Sequence, residues 1–168
     1  MNLIEQIDRW GKAASSRVAH ISNGRALTYG ELVRRSDALA AYLAQVLPAD
    51  RSPVAVRGHK EPEMLIAFLA AVKAGHPYVP IDTIQPAWRV ERIVQAAGAR
   101  LLLTPEEIAA QVGDASASAP DPAHRIGLAD PFYILFTSGS TGEPKGVVIT
   151  LGCLLSFIAW MLAEHPFR

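Results

Sequence analysis

The sequence predicts an α/β fold: a mainly parallel sheet with flanking helices. Three observations carry this: short β-branched or leucine-rich runs alternate with helical segments, the connections are tight, and most helices carry explicit start or stop signals. At 168 residues the chain has the length of one domain and can bury a real core. Half of it is apolar and 19% charged, a globular rather than disordered composition.

Leu3, Ile4, Ile7 and Trp10 fall on one face of a first helix. This segment mixes charges into its apolar pattern, unlike a signal peptide. Val18–Ser22 and Arg25–Leu27 flank Asn23-Gly24, a hairpin turn in which both residues need positive φ. Thr28 and Glu31 form a capping box opening a helix that directs Leu32, Leu39, Tyr42, Leu43 and Val46 inward and ends near Pro48.

A strand over Pro53–Val56 precedes a helix over Glu61–Ala74, with Pro62 near its start and Gly75 as a left-handed stop. The apolar run Met64–Val72 predicts burial on more than one side. A strand at Tyr78–Ile81, a helix at Pro86–Ala97 closed by Gly98, and a strand at Arg100–Leu103 follow. Val90, Ile93, Val94 and Ala97 are the inward residues of that helix. Thr104 and Glu107 make a second capping box before a short helix. From Gly113 to Asp130 the composition turns to Ala, Ser, Asp and Pro, predicting a long surface loop. Strands at Phe132–Phe136 and Val147–Ile149 then bracket a glycine-rich stretch. A helix over Leu151–Ala163, capped by Thr150, closes the series.

Sixteen basic residues balance sixteen acidic ones without a basic cluster, which gives no reason to expect a nucleic acid partner. No stretch approaches the roughly 18 apolar residues of a membrane span, so the cytoplasm is the default location. Cys153, the sole cysteine, excludes an internal disulfide and reads as a small buried hydrophobe. His59 and His76 lack ligand-type spacing, so no metal site is expected on them. Asp82 ends a strand and suits turn formation. Trp10, Trp88 and Trp160 read as packing residues, and Glu61 and Glu63 as carboxylates favoured at a helix start.

The chemistry concentrates in Thr137-Ser-Gly-Ser-Thr-Gly-Glu-Pro-Lys145-Gly146, with three glycines, four hydroxyls and one lysine. Glycines let backbone amides converge on an anion, hydroxyls add rotatable donors, and Lys145 supplies a mobile positive charge. The order is not that of a Walker A loop, because Gly146 and the run Val147-Val148-Ile149 follow Lys145 where a helix would begin. A strand–loop–strand grip on a polyphosphate is expected; a plain polar turn between two strands is the alternative.

Tyr133-Ile-Leu-Phe-Thr-Ser-Gly-Ser-Thr-Gly-Glu-Pro-Lys-Gly-Val147 resembles the signature motif of the adenylate-forming (AMP-binding) superfamily. The stretch Gly58–Asp82 is similar to amino-acid adenylation domains, and its Gly-His-Lys-Glu-Pro and Ala-Gly-His-Pro forms look most like the D-alanine–D-alanyl carrier protein ligases. The final helix, with Leu155-Ser-Phe and Trp160, is similar too. Phe136 stands where many members have Tyr.

The resemblance implies ATP-dependent formation of an aminoacyl-adenylate, with Mg²⁺ in the complete enzyme. It implies transfer of D-alanine to a carrier-protein phosphopantetheine thiol, feeding D-alanylation of teichoic acids. Thr137, Ser138, Gly139, Ser140, Thr141 and Gly142 would contact the β and γ phosphates and Lys145 would neutralise charge; none is a catalytic acid, base or nucleophile. It further implies that residues 1–168 are the incomplete N-terminal portion of an adenylation domain. The substrate pocket, metal-binding Glu and C-terminal lid with its catalytic lysine would lie beyond Arg168, leaving this portion inactive alone. A peptide-synthetase adenylation fragment and a non-catalytic nucleotide- or partner-binding module are the alternatives.

Overall fold

The computed structural model describes residues 3–113, 120–138 and 143–165. Helix α1 (Leu3–Ala13) leads to the hairpin β1 (Val18–Ser22) and β2 (Arg25–Thr28), then α2 (Tyr29–Val46). The alternating core follows: β3 (Val54–Gly58), α3 (Pro62–Lys73), β4 (Tyr78–Asp82), α4 (Ala87–Ala97), β5 (Leu101–Leu103) and α5 (Pro105–Val112). Strands β6 (Pro131–Ser138) and β7 (Pro144–Thr150) and helix α6 (Leu151–Glu164) complete it.

Local signals act where the sequence puts them. Asn23 and Gly24 have φ of 50° and 74°, and Ser22 faces Arg25 across a two-residue turn. Both capping boxes form: the Glu31 N–H donates to Thr28 Oγ1 at 3.2 Å and the Glu107 N–H to Thr104 Oγ1 at 3.4 Å. Gly75 and Gly98, with φ of 89° and 65°, follow α3 and α4. Thr150 caps α6 by accepting from the Cys153 N–H.

The main sheet has the order β5-β3-β4-β6-β7. Its first four strands are parallel and only β7 runs antiparallel, as a hairpin partner of β6. Along β3, Val54 and Val56 enter one core with Leu103, α2, α3 and α5, whereas Ala55 enters a second with Val79, Ile81 and α4. Successive strand residues point to opposite faces, so every central strand must be apolar on both. Helix α3 lies on one face and α4 on the other, so the chain leaves the carboxyl ends of β3 and β4 in opposite directions. That divergence opens a crevice between the two strands, the place where open α/β sheets bind ligands.

The helical layer contains charges that periodicity does not reveal. Lys73 is fully buried, with Nζ 2.6 Å from Asp37 Oδ1 on α2 and 3.2 Å from Ser36 Oγ. Asp8 Oδ1 on α1 lies 2.8 Å away, close enough for an ion pair but out of line for a hydrogen bond. Arg125 holds the other Asp8 oxygen at 2.9 Å. Glu63, expected to be a helix-start carboxylate, is only 3% exposed and accepts from both Arg25 guanidinium nitrogens, at 2.7 and 3.2 Å, and from Arg35 at 3.3 Å.

Several sequence expectations need correction. Val46 is exposed, because α2 leaves the core in its last turn. Cys153 is exposed rather than buried, since α6 packs through Leu151, Leu154 and Leu155 and turns its other faces outward. The three tryptophans do pack as expected, Trp10 on Tyr29 and Arg17, Trp88 on Arg92 and Trp160 on Phe157, but each remains about half exposed. The 113–130 region is more than a surface loop. Ile126 is buried and its N–H donates to Val72 O, because the loop must cross the end of α3. Residues 114–119 of that loop lie outside the described residues.

Replacing Lys73 with Met removes the ammonium from Asp37 and leaves Asp8 with Arg125 alone. The expected loss is about 3 kcal/mol of unfolding free energy with an unchanged urea m-value, checked by equilibrium denaturation at neutral pH.

Burial pushes the Glu63 carboxyl up, but the Arg25 hydrogen bonds, its own backbone N–H and Arg35 outweigh it and hold it below the ordinary 4.5. The ion pair therefore contributes fully above pH 4.5, and its contribution disappears as pH falls through the lowered folded value. Glu63→Gln is expected to cost about 1 kcal/mol at pH 7 after screening on the exposed Arg25 side. In acid the variant's stability curve should converge on that of the original chain, as read by thermal melts across pH.

Candidate functional site

The parallel strands β3, β4, β5 and β6 all end at one edge of the sheet, at Gly58, Asp82, Leu103 and Ser138. The turn from β6 to β7 leaves from that same edge. Thr137 and Ser138 are the last residues of β6, and Lys145 is the second of β7. The register places Ser138 opposite Pro144, Thr137 opposite Lys145 and Phe136 opposite Gly146. Directly opposed residues share a sheet face, so the Thr137 hydroxyl and the Lys145 ammonium emerge side by side. Both residues are exposed, and Thr137 Oγ1 donates to Lys145 O at 3.5 Å. Gly139, Ser140, Thr141 and Gly142, expected to complete the loop, lie outside the described residues.

The hairpin has a physical reason for its composition on each face. Ile134 and Phe136 pack against the α4-side core, so the strand is anchored by alternate residues. A Cβ at Gly146 would come within 3.0 Å of both Ile134 Cγ2 and Phe136 Cζ. Gly146 thus lets the Phe136 ring lie across β7, a packing role in addition to its place in the signature string. Glu143, at the loop's exit, accepts from Arg92 of α4 at 2.9 Å, a contact that sequence reading missed because 51 residues separate the partners.

At the neighbouring strand ends, Asp82 forms the expected turn by accepting from the Ile84 N–H at 2.9 Å. Its second oxygen lies 2.8 Å from His59 Nδ1, which links the loop after β3 to the end of β4. The Ile84 backbone hydrogen bond and then His59 hold the Asp82 carboxyl below its usual value. His76 is at the opposite edge, with Nδ1 2.8 Å from Ser52 O. Among the described residues, no group of three or more His, Cys, Asp or Glu is placed to hold a metal ion.

A family model described as AMP-binding enzyme matches residues 7–168. The chain belongs to the AMP-binding enzyme family. It is 41% identical over 183 residues to the D-alanine–D-alanyl carrier protein ligase of Bacillus mycoides, covering 100% of this chain and 36% of that protein. The ligase of the same name from Bacillus cereus gives the same identity and coverage. The chain therefore spans about a third of the length of these family members.

Among solved structures, the N-terminal subdomain of Klebsiella oxytoca NpsA in complex with 3-hydroxyanthranilyl-AMSN is 31% identical. It superposes with a TM-score of 0.74 over 89% of this chain and 40% of that one. VinN in complex with 3-methylaspartate, at 19% identity, has a TM-score of 0.86 over 100% of this chain and 52% of its own, and shares the fold. The expected mainly parallel α/β architecture is thus the family's N-terminal architecture.

Gly146→Ala tests the packing of the hairpin. The added methyl must push Ile134 and Phe136 aside, with an expected loss of about 1 kcal/mol by urea denaturation and altered Phe136 ring signals in NMR spectra.

Proposed function

We propose that this chain is the phosphate-gripping, N-terminal portion of a ligase that activates D-alanine with ATP and passes it to a carrier protein. The observation that carries this reading is the β6–β7 hairpin. It sets the described residues at either end of the signature loop, Thr137 and Lys145, at the carboxyl edge of the sheet in a chain 41% identical, along its whole length, to D-alanine–D-alanyl carrier protein ligases.

In the proposed reaction the carboxylate of D-alanine attacks the α-phosphate of ATP, forming the aminoacyl-adenylate and releasing pyrophosphate. The phosphopantetheine thiol of the carrier protein then displaces AMP. The contribution of this chain is charge neutralisation and positioning rather than proton transfer. Lys145 and Thr137, adjacent on one sheet face, supply a cation and a hydroxyl for the β and γ phosphates. Ser138, Gly139, Ser140, Thr141 and Gly142 complete the grip. A strand rather than a helix follows the loop, so the amides and Lys145 carry the anion affinity without a helix dipole.

Mg²⁺, when present, neutralises phosphate charge. Among the described residues no group of three or more His, Cys, Asp or Glu is placed to hold it, and the phosphate oxygens of the nucleotide are its proposed ligands. Among the described residues no helix is long and apolar enough to cross a membrane. The use of ATP and a carrier protein fits a cytoplasmic reaction. The D-alanyl product would serve D-alanylation of teichoic acids.

Two measurements test this reading. Calorimetric titration of the 168-residue chain with MgATP should show saturable binding, weakened about tenfold by Lys145→Ala, the effect of losing one charge-assisted contact. The same chain should give no ATP–pyrophosphate exchange. The product of the gene's complete reading frame should give exchange dependent on D-alanine. Exchange with L-amino acids instead would favour a peptide-synthetase adenylation domain. ATP binding without exchange by any amino acid would favour a binding module.

A further inference from the structure

A cleft of about 420 Å³ opens where the chain leaves β3 and β4 in opposite directions. Its wall is apolar, formed by Met64, Leu65 and Phe68 of α3, Ile81 of β4 and Leu135 of β6. The volume lies within the range of small-molecule sites, and few polar groups interrupt the lining. Those that do are arranged with purpose. Asp82 spends one oxygen on the Ile84 N–H and the other on His59 Nδ1, so the carboxylate is fixed and can only accept.

A carboxylate at Nδ1 selects the tautomer in which Nδ1 carries the proton and Nε2 carries the lone pair. Nε2 of His59 has no hydrogen-bond partner among the described residues. The second imidazole at the cleft differs. Nε2 of His20 lies 3.2 Å from Lys60 O, an acceptor, so that nitrogen is a donor. The loop holding these groups is conformationally costly: Lys60 has φ of 64°, left-handed backbone that a residue with a Cβ adopts rarely. Glu61 accepts the His59 backbone N–H, which holds the turn.

We propose that this cleft binds a small molecule with an apolar body and one protic group, a hydroxyl or thiol, donated to Nε2 of His59. The apolar wall takes the body. The Asp82–His59 contact fixes the imidazole so that Nε2 can accept that hydrogen bond. The proposal is independent of the ATP reading, since it uses neither the signature loop nor a nucleotide.

The test is an NMR titration of the 168-residue chain with 1-hexanol, 1-hexanethiol and methyl pentyl ether, without ATP, following the His59 ring nitrogens and the Leu135 methyls. The alcohol or the thiol, or both, should bind saturably and shift both probes. Whichever binds tighter identifies the protic group. The ether, of similar bulk but unable to donate, should bind about tenfold more weakly, the contribution of one hydrogen bond. His59→Leu, folded by circular dichroism, should abolish that preference, and Asp82→Ala should shift the His59 tautomer signals and reduce it. The proposal is overturned if no probe binds saturably, if the ether binds as well as the alcohol and thiol, or if His59→Leu retains the preference. A loss of stability in these variants without any change in ligand preference would likewise overturn it, showing a loop clamp only.

Discussion

The buried ammonium of Lys73 imposes the constraint on which the helical layer depends. A fully buried cation is tolerable only if anions meet it, and here they come from Asp8 on α1 and Asp37 on α2. Three helices are thereby tied at a single point, and Arg125 extends the tie to the loop before β6. Apolar packing alone permits small sliding of helices over one another; charges that must coincide within hydrogen-bond distance do not. The same layer supports β3, β4 and β5 through Val54 and Val56, Tyr78, and Leu103. Fixing the layer therefore fixes the loops that leave the strands' carboxyl ends.

The proposed function rests on that edge. The parallel strands deliver four chain ends to one side, and the β6–β7 hairpin adds its turn there. Antiparallel pairing, with no helix start, sets two anchors of a glycine-rich segment at a fixed separation. The pairing of Thr137 with Lys145 puts hydroxyl and ammonium on one face. Gly146 is where the two demands meet, since it belongs to the signature and also makes room for Phe136. A glycine that looks purely functional in sequence is also a packing residue.

Apolar surface remains exposed at the β7 edge of the sheet and on α6. Val147 and Val148 lie on opposite faces of β7, an edge strand, and both are about half exposed, as are Phe157, Trp160 and Leu162 on α6. Edge strands that stand alone are ordinarily short, charged or covered. The exposure of Cys153 has the same origin: α6 is rich in apolar residues all round but meets the core on one side only. Reading such a helix by composition predicts burial that its neighbours here do not supply.

Much of this fold was written in local sequence. The Asn23-Gly24 turn, the Thr28 and Thr104 capping boxes, the glycines after α3 and α4 and the mainly parallel order each depend on residues close together in the chain, where propensity and hydrogen bonding decide. The two strands that flank the signature string were likewise legible from their apolar runs without any structure. The tertiary structure alone decided which charges are buried and which residues meet across the carboxyl edge. Lys73 reads as a lysine near a helix end until Asp8 and Asp37 arrive from 65 and 36 residues away. His59 and Asp82 read as a loop histidine and a turn carboxylate until parallel pairing of β3 and β4 brings them to 2.8 Å. Periodicity reports which side of an element is apolar; it carries no information on distant partners, because those are chosen by sheet order and helix packing.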